Sequence, residues 1–160
     1  MARGGTPAIV ALTAAGVEFD VHEFDNAPSD RGYGLEAAAA LGVEPERVFK
    51  TLLATVDDTS HAVAIVPVSG QLSLKGLAAA LGVKRAEMCG VETAERLTGY
   101  VVGGISPFGQ KRPLPTVIDE TCILFDTIFV SGGRRGLDIE IAPDDLIAVL
   151  SAVTAPIATP

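Results

Sequence analysis

Apolar positions recur along this chain with two periods, one typical of helices and one typical of strands. Apolar residues three or four positions apart, mostly followed by a glycine, predict helices at 6–15, 35–41, 73–81, 92–97 and 143–150. Alternating or continuous apolar and β-branched runs predict strands at 17–24, 48–56, 61–68, 86–89, 114–118, 126–131 and 137–142. The segments between them predict a polar loop at 25–34, a helical turn at 44–47 and a loose tail at 154–160. This order predicts an α+β fold, in which a mixed sheet or small barrel has helices outside it.

The length and the composition fit a single domain with a substantial core. The chain has 160 residues, 48% of them hydrophobic, and we predict that residues 1–160 form one domain. Its start, with Arg3 before an apolar run at 8–12, has features of a weak signal peptide. Thr6 followed by Pro7 is nevertheless a typical helix start, which favours a segment that belongs to the fold. No apolar run is long enough to span a membrane, and we expect no membrane partner.

The charge is acidic overall, which at first argues against a nucleic-acid partner. The formal net charge is −8, but the basic residues cluster in the middle of the chain, at Lys75, Lys84-Arg85, Lys111-Arg112 and Arg134-Arg135. Such a cluster is able to form a local basic face even on an acidic protein. Ion pairs on the surface are the alternative, and for Lys84-Arg85 we favour that alternative.

Cysteine and histidine are scarce. Cys89 and Cys122 both lie among residues that are predicted to be buried or half-buried, and reduced thiols that serve in packing are the simplest interpretation. The chain's two histidines, His22 and His61, do not have metal-ligand spacing with each other or with the cysteines. We therefore expect no metal site.

A glycine-rich stretch at 99–110, here called the glycine loop, is the strongest local feature. Its glycines allow conformations that other residues avoid, and Pro107 restricts both its own φ and the residue before it. Bare N–H groups, together with Ser106 and the following Lys111-Arg112, would suit a phosphate or a developing oxyanion. A tight turn between strands is the alternative interpretation. Ser106 is not the nucleophile of a serine hydrolase elbow, because Phe108 stands where that motif requires glycine.

Lys50 is the unusual residue of the predicted central strand at 48–56, because its neighbours are nearly all apolar. One interpretation is an exposed or snorkelling side chain on an edge strand. The other is a lysine that lines a pocket and holds a phosphate or a carboxylate.

Four segments, in order along the chain, resemble the YbaK/EbsC family. They are VFKTLL at 48–53, GYVVGGISPFGQK at 99–111, LPTVID at 114–119 and VSGGRRGLDIE at 130–140. Within that family the chain is most similar to the bacterial YbaK proteins, which are free-standing Cys-tRNA(Pro) and Cys-tRNA(Cys) deacylases related to the editing domain of bacterial prolyl-tRNA synthetases. The resemblance implies a mixed pseudo-barrel sheet with helices packed outside it.

The resemblance also implies an activity. It predicts a cytoplasmic trans-editing hydrolase that removes cysteine wrongly attached to tRNA(Pro), and possible activity on Cys-tRNA(Cys), with no metal and no other cofactor. The acidic net charge predicts that the protein alone binds tRNA weakly. The resemblance implies that prolyl-tRNA synthetase helps it to bind tRNA. We expect a monomer or a weak homodimer.

The family's site residues map onto particular positions of this chain. Lys50 is implied to be indispensable and to hold the 3′-terminal adenosine phosphate or the aminoacyl group, with Gly103 and Gly104 as backbone donors to the oxyanion. The remaining residues expected to contact substrate are Thr51, Ser106, Ser131, Asp138 and Phe24. Phe24 departs from the family, which often has tyrosine there, so this chain has no hydroxyl at that position.

The sequence shows no protein nucleophile paired with a base, so the implied chemistry is assisted by the substrate. The substrate's own cysteine thiol attacks its ester, or helps in attacking it, while the glycine loop stabilises the oxyanion. Two alternatives remain. One is an Ala-tRNA(Pro) deacylase. The other is a non-catalytic module that binds tRNA ends or a nucleotide, against which the retention of Lys50 and of the whole glycine loop argues.

Overall fold

The computed structural model describes residues 5–25 and 33–160. Its helices are α1 (Pro7–Ala15), α2 (Tyr33–Leu41), α3 (Leu74–Leu81), α4 (Val91–Thr98) and α5 (Pro143–Leu150), with short 3-10 helices at Pro45–Arg47 and Glu120–Leu124. Its strands are β1 (Asp20–Glu23), β2 (Phe49–Val56), β3 (Ser60–Pro67), β4 (Gln71–Leu72), β5 (Ala86–Met88), β6 (Thr116–Asp119), β7 (Ile128–Arg134), β8 (Leu137–Ile141), β9 (Val153–Ala155) and β10 (Ala158–Thr159). The predicted α+β class is confirmed. None of the helices in the described ranges is both long and apolar enough to cross a lipid bilayer.

The strands form one mixed sheet and two smaller antiparallel ones. The five-stranded sheet has the order β5-β2-β3-β6-β9, in which β6 runs parallel to both β3 and β9. A three-stranded sheet has the order β1-β8-β7, and β4 pairs with β10. A parallel bridge between Val48 and Phe129 connects the two larger sheets at one edge. The predicted mixed sheet is therefore present, with the two larger sheets meeting beside β2.

The β2–β3 hairpin is the centre of the five-stranded sheet. All eight residues of β2 pair with β3, with Lys50 opposite Val66, and only Ala54–Val56 pair with β5 on the other side. The prediction of a central strand followed by its hairpin partner is confirmed. The uneven pairing leaves the first half of β2 uncovered by β5.

Helix ends follow the chemistry expected from the sequence. The Thr6 side chain accepts a hydrogen bond from the Ile9 N–H at 3.2 Å, and Ser73 accepts one from the Gly76 N–H at 2.9 Å. Gly16 ends α1 in the left-handed region with a φ of 72°. Since Ala8 and Leu12 of α1 are fully buried, this helix belongs to the core, as its Thr-Pro start predicted.

The main core draws on both larger sheets and on α1 and α5. Its fully buried side chains include Ile65 of β3, Ile118 of β6, Ile139 of β8 and Leu146 of α5. Phe108 of the glycine loop is also fully buried there. The loop is therefore anchored in the core by one of its own side chains.

Several predicted boundaries differ from the observed ones. The strand predicted at 17–24 is only Asp20–Glu23, which pairs with β8, and α2 begins two residues before its predicted start. The 3-10 helix at Glu120–Leu124 was not predicted. Most of the polar loop predicted at 25–34, and Arg3 of the signal-like start, lie outside the described residues.

The prediction of a loose tail at 154–160 is wrong. β9 adds to the edge of the five-stranded sheet beside β6, and β10 pairs with β4. Ile157 between them is fully buried, and the Asp119 carboxylate accepts hydrogen bonds from the N–H groups of Ile157 and Ala158, both at 2.9 Å. The tail is ordered because one buried side chain and one buried carboxylate hold it.

This anchoring gives a test of stability. Ile157→Ala is expected to lower the free energy of unfolding by about 2–5 kcal/mol, because it leaves a cavity beneath the tail. Val153→Ala, at a half-exposed position of the same tail, is the control and should change that free energy by less than about 0.5 kcal/mol. Urea unfolding followed by circular dichroism measures both. Equal small effects would show that the tail contributes little.

Candidate active site

A cavity of about 470 Å³ opens beside the half of β2 that β5 leaves uncovered. Its walls come from β2, α2, the segment 88–94, the glycine loop and the β7–β8 hairpin. The residues that line it are Gly34, Leu35, Ala37, Val48, Phe49, Lys50, Thr51, Leu52, Leu53, Val68, Met88, Cys89, Val91, Ala94, Val102, Gly103, Ile105, Ser131 and Asp138. Five of the predicted site residues are thereby brought together: Lys50, Thr51, Gly103, Ser131 and Asp138.

The cavity is mainly apolar, and its mouth is bordered by exposed apolar side chains. The exposed fraction runs from 38% for Leu35 to 59% for Val91, with Met88 and Val102 between them. A concave apolar surface with a few polar groups inside is typical of a small-molecule site. The sequence did not indicate this rim, because helical periodicity alone does not show which neighbour α2 or α4 faces.

Lys50 is half-buried in the wall formed by β2. Burial removes water from its ammonium group and thereby lowers the pKa of Lys50 below its usual value. No carboxylate of the described residues lies within ion-pair distance of it. Of the two interpretations of Lys50, the structure favours a cation that faces a pocket and has no counter-ion among the residues described.

Asp138 lies on β8 between two neighbours that hold it in register. His22 of β1 is opposite it on one side and Ser131 of β7 on the other. Its side chain is only 6% exposed, and burial raises its pKa to about 7. Across the part of the chain that the structure describes, no group hydrogen-bonds or ion-pairs with this carboxyl. It is a buried acid without a partner, in the wall of the cavity.

Two hydroxyl groups accompany these charges. Thr51 Oγ1 is buried and has no hydrogen-bond partner among the described residues. Ser131 Oγ accepts a hydrogen bond from the Gly133 N–H at 3.2 Å, where a bulge interrupts the β7–β8 pairing. Thr51 Oγ1 is closed to solvent, so Thr51 lines the cavity with its other atoms and leaves an unsatisfied hydroxyl inside the protein.

The glycine loop is held in one shape by its own contacts. The Tyr100 hydroxyl donates to the Phe108 carbonyl oxygen at 2.6 Å, and burial is the main cause that raises the pKa of Tyr100 to about 12. The Val102 N–H donates to Glu95 Oε2 at 2.8 Å, which ties the loop to α4. A fixed loop agrees with both interpretations of the sequence, a tight turn and a shaped binding loop.

Gly104 does not have the position predicted for an oxyanion donor. Its N–H donates to the Val101 carbonyl oxygen at 2.9 Å, and it is absent from the cavity wall. A Cβ atom at Gly104 would lie 2.6 Å from the Arg134 Cα, so packing against the β7–β8 hairpin requires glycine there.

Other N–H groups of the loop are better placed. Gly103 and Ile105 both line the cavity, and neither N–H group finds an acceptor among the residues described. Gly103 has a φ of 97°, a conformation that favours glycine. The candidate backbone donors are therefore Gly103, as predicted, and Ile105, which the sequence did not indicate.

Ser106 and Phe24 also lie away from the cavity wall. Ser106 is fully buried, and its Oγ accepts a hydrogen bond from the Phe108 N–H at 3.2 Å, so it shapes the turn at Pro107. Phe24 packs against the cluster of α2, Val48 and Phe129. The geometry does not support their predicted roles in substrate contact.

The two cysteines have different surroundings, although we predicted the same role for both. Both thiols are free. Cys122 is fully buried, and burial, with a smaller contribution from Asp119 and Asp144, raises its pKa to about 11, as suits a packing residue. Cys89 is half-buried and lines the cavity. The predicted packing role holds for Cys122, whereas Cys89 packs against the main core and also lines the cavity.

Three of the seven residues of the predicted basic face are neutralised by ion pairs. Arg85 pairs with Asp58, Arg134 with Glu23 and Arg135 with Glu36. Surface ion pairs, the interpretation we favoured for Lys84-Arg85, thus hold for Arg85. The exposed pair Lys111-Arg112 has no such partner in the described ranges and remains available to a phosphate backbone.

The residues described contain no group of three or more histidine, cysteine or acidic side chains arranged to hold a metal ion.

The elevated pKa of Asp138 predicts how stability depends on pH. The pKa of an aspartate in an unfolded chain is about 3.9, so the folded protein holds the carboxyl proton of Asp138 more tightly than the unfolded chain does. The resulting stabilisation is complete below about pH 4 and is lost as the pH rises through about 7. Above that pH, the ionised carboxyl is less favourable in the folded protein by on the order of 4 kcal/mol.

Asp138→Asn should therefore be markedly more stable than the wild type at pH 8 and similar to it at pH 4, because the amide cannot ionise. Unfolding free energies from urea titrations at the two pH values measure this difference. Asp126→Asn, at an exposed position, is the control and should show no such contrast. A stability difference that is the same at both pH values would contradict the assigned pKa.

Comparisons with known proteins agree with this geometry. The aminoacyl-tRNA editing domain family matches residues 33–149, more than half of the chain. A relative from Enterococcus faecalis, EbsC, described as a proposed Cys-tRNA(Pro)/Cys-tRNA(Cys) deacylase, is 38% identical over 138 residues, which cover 86% of this chain and 84% of that protein. The predicted resemblance to the YbaK/EbsC family is confirmed.

Two solved structures share the fold. A proposed trans-editing enzyme for prolyl-tRNA synthetase superposes with a TM-score of 0.84 at 24% identity, covering 96% of each chain. The hypothetical protein APE2540 superposes with a TM-score of 0.85 at 24% identity, covering 96% of this chain and 99% of that one. Because the family match extends over β2, the glycine loop and the β7–β8 hairpin that together form the cavity, this chain belongs to the family of aminoacyl-tRNA editing domains.

Proposed function

We propose that this protein is a trans-editing deacylase that hydrolyses cysteine from mischarged Cys-tRNA(Pro), and from Cys-tRNA(Cys) as a possible second substrate. The observation that carries the proposal is the placement of Lys50. In a member of the editing-domain family, a half-buried cation with no counter-ion in the described part of the chain faces an apolar cavity, beside loop N–H groups that have no acceptor there. That arrangement suits an ester whose carbonyl oxygen becomes an anion during hydrolysis.

The size of the cavity fits the end of a charged tRNA. About 470 Å³ lies within the range that holds small ligands, which is enough for an aminoacyl group and part of the terminal ribose. The exposed apolar rim offers Met88, Val91 and Val102 to the terminal sugar and base. Outside the cavity, Lys111 and Arg112 are exposed for contact with tRNA phosphates.

Each polar group of the cavity has a role in the proposed reaction. Lys50 binds the 3′-terminal phosphate or the aminoacyl carbonyl, and the N–H groups of Gly103 and Ile105 stabilise the oxyanion. The hydroxyl group of Ser131 orients the aminoacyl end.

The attacking group is proposed to be the thiol of the substrate's cysteine. Its sulfur forms a bond to its own ester carbonyl as the thiol proton leaves, and the carbon–oxygen bond to the ribose then breaks. The 3′ oxygen takes up a proton, and water hydrolyses the released thiolactone to cysteine. Holding the thiol and the ester at short range in a closed site supplies much of the rate.

The biological need for this reaction follows from size. Cysteine and proline have similar volumes, so a synthetase pocket cannot reject cysteine strongly by shape alone, and a second hydrolytic site removes the error. A protein with a net charge of −8 is expected to bind tRNA weakly, and an association with prolyl-tRNA synthetase would raise the local concentration of substrate. We propose that one domain, residues 1–160, acts in the cytoplasm as a monomer or weak homodimer.

Two other functions predict different results. An Ala-tRNA(Pro) deacylase would cleave alanyl-tRNA(Pro) faster than the cysteinyl form. A module that only binds tRNA ends would cleave neither. An assay on Cys-, Ala- and Pro-charged tRNA(Pro) separates all three, with rapid and selective loss of cysteine as the expected result.

Lys50→Ala is expected to lower kcat/KM for Cys-tRNA(Pro) by about 100-fold or more, because it removes the cation that faces the substrate. Its fold should remain intact, since burial of that cation is itself unfavourable. Lys75→Ala, at an exposed position on α3, is the matched control and should stay within about twofold of the wild type. A folded Lys50→Ala variant with normal turnover would exclude the assigned role.

The source of the attacking sulfur is tested by substrate and by protein changes. Seryl-tRNA(Pro) should be cleaved about 100-fold more slowly than cysteinyl-tRNA(Pro), because a hydroxyl is a much weaker nucleophile than a thiol. Cys89→Ser should retain more than about a tenth of the activity, whereas loss of a true protein nucleophile costs about 1,000-fold or more. Cys122→Ser is the control.

The two outcomes are independent. Equal rates on the two substrates would favour an activated water held by Lys50 and Gly103. An inactive but folded Cys89→Ser variant would make Cys89 the nucleophile.

A further inference from the structure

The cavity contains two opposite charges that do not pair with each other. Among its described lining residues, Lys50 is the one basic residue and Asp138 the one acidic residue. They do not form an ion pair within 4.0 Å. A buried ionised carboxylate is unfavourable without a partner, and a ligand that brings a cation would supply that partner. Asp138 therefore indicates a ligand with a positive group some distance from the part that Lys50 holds.

The proposed substrate has a positive group of this kind. An aminoacyl ester has its α-ammonium group one carbon away from the carbonyl that reacts, while its phosphate and developing oxyanion are negative. From the placement of these charges, and resting on the proposed deacylase function, we infer that Asp138 binds the α-ammonium of the aminoacyl group. The site thereby selects esters with a free α-amino group over esters whose amino group is blocked or missing.

The surroundings of Asp138 suit that role. β8 is the middle strand of its sheet, paired on both sides, so the carboxyl has a fixed position. Ser131 is directly opposite on β7 and lines the same cavity, and its Oγ retains an acceptor site besides the one that the Gly133 N–H uses. One carboxylate and one hydroxyl together provide acceptors for an ammonium group, which has three donors.

Glu140, two residues along the same strand, is a carboxylate that pairs with other groups of the protein. Its oxygens accept from His22 Nε2 at 2.9 Å and from Thr127 Oγ1 at 2.6 Å, and Arg47 lies at 3.6 Å. These hydrogen bonds and the two neighbouring basic groups lower the pKa of Glu140. Glu140 is therefore occupied within the protein, and it is absent from the cavity wall. This contrast makes it the matched control for Asp138.

The test compares two substrates that differ only at the amino group. One is Cys-tRNA(Pro), and the other is tRNA(Pro) esterified with 3-mercaptopropionate, which is cysteine without its α-amino group. The second keeps the thiol and is smaller, so it cannot be excluded by size. Each kcat/KM is divided by the spontaneous hydrolysis rate of the same ester, because an ammonium group also activates the ester without the enzyme.

Wild-type protein should prefer the cysteinyl ester by about 100-fold after that correction, as expected for loss of a charge-assisted hydrogen bond in a buried site. Asp138→Asn should lose most of this preference. It should cleave the deaminated ester about as fast as the wild type does while losing about 100-fold on the cysteinyl ester. Glu140→Gln should keep the preference of the wild type, whatever it does to stability.

The outcomes separate this inference from the proposed function. If the wild type cleaves neither ester, the deacylase function itself fails. If the wild type cleaves both equally, or if Asp138→Asn slows both by the same factor and keeps the preference, Asp138 does not recognise the amino group. Circular dichroism of each variant confirms that the rates refer to folded protein.

Discussion

Two charged side chains that have no partner among the described residues stand in an apolar cavity, and the surrounding structure keeps them apart and in place. A charge in such a wall is unfavourable. If Lys50 or Asp138 moved freely, each would turn toward water or toward the other. Their separation is enforced by the backbone. Lys50 belongs to the central hairpin of one sheet and Asp138 to the middle strand of another. A ligand that pairs with these two charges therefore gains favourable electrostatic interactions that the protein alone does not make.

The contacts around the cavity serve this separation. The bridge between Val48 and Phe129 joins the two sheets close to Lys50. Behind the cavity, Arg47 lies over the Phe129 ring at 5.1 Å and also donates to Thr127, which links the entry of β2 to the β7–β8 hairpin. The ion pair between Glu36 and Arg135 connects α2 to the turn of that hairpin. These links are polar, but they lie outside the cavity, so the cavity itself keeps its mostly apolar wall.

The sequence predicted those parts of the fold that depend on local chemistry. The central hairpin and the ends of α1 and α3 follow from apolar runs, capping side chains and glycines, and Lys50 was identifiable because one charge interrupts a β-branched run. The ordered tail was missed because its anchor, Asp119, lies about 38 positions before Ile157, and such distant partners leave no local pattern.

The site was only partly predictable for a related reason. Gly104 and Ser106 have the right chemical types for donors, but the direction of an N–H or hydroxyl is set by turn geometry, and both point into the protein's own loop. Ser131 and Asp138 were identified by resemblance alone. Their shared position follows from cross-strand register, which a single sequence does not specify.

The close contact between Gly104 and the Arg134 backbone has a further consequence for how the protein meets its ligand. With no side chain between them, the backbone of the glycine loop at Gly104 packs directly on the backbone of the β7–β8 hairpin at Arg134, which fixes the loop relative to the hairpin at that point. A ligand then encounters a receptor whose geometry exists beforehand, and little ordering entropy is lost on association. Discrimination in such a rigid frame rests on distances between fixed atoms and not on closure of the protein around the ligand.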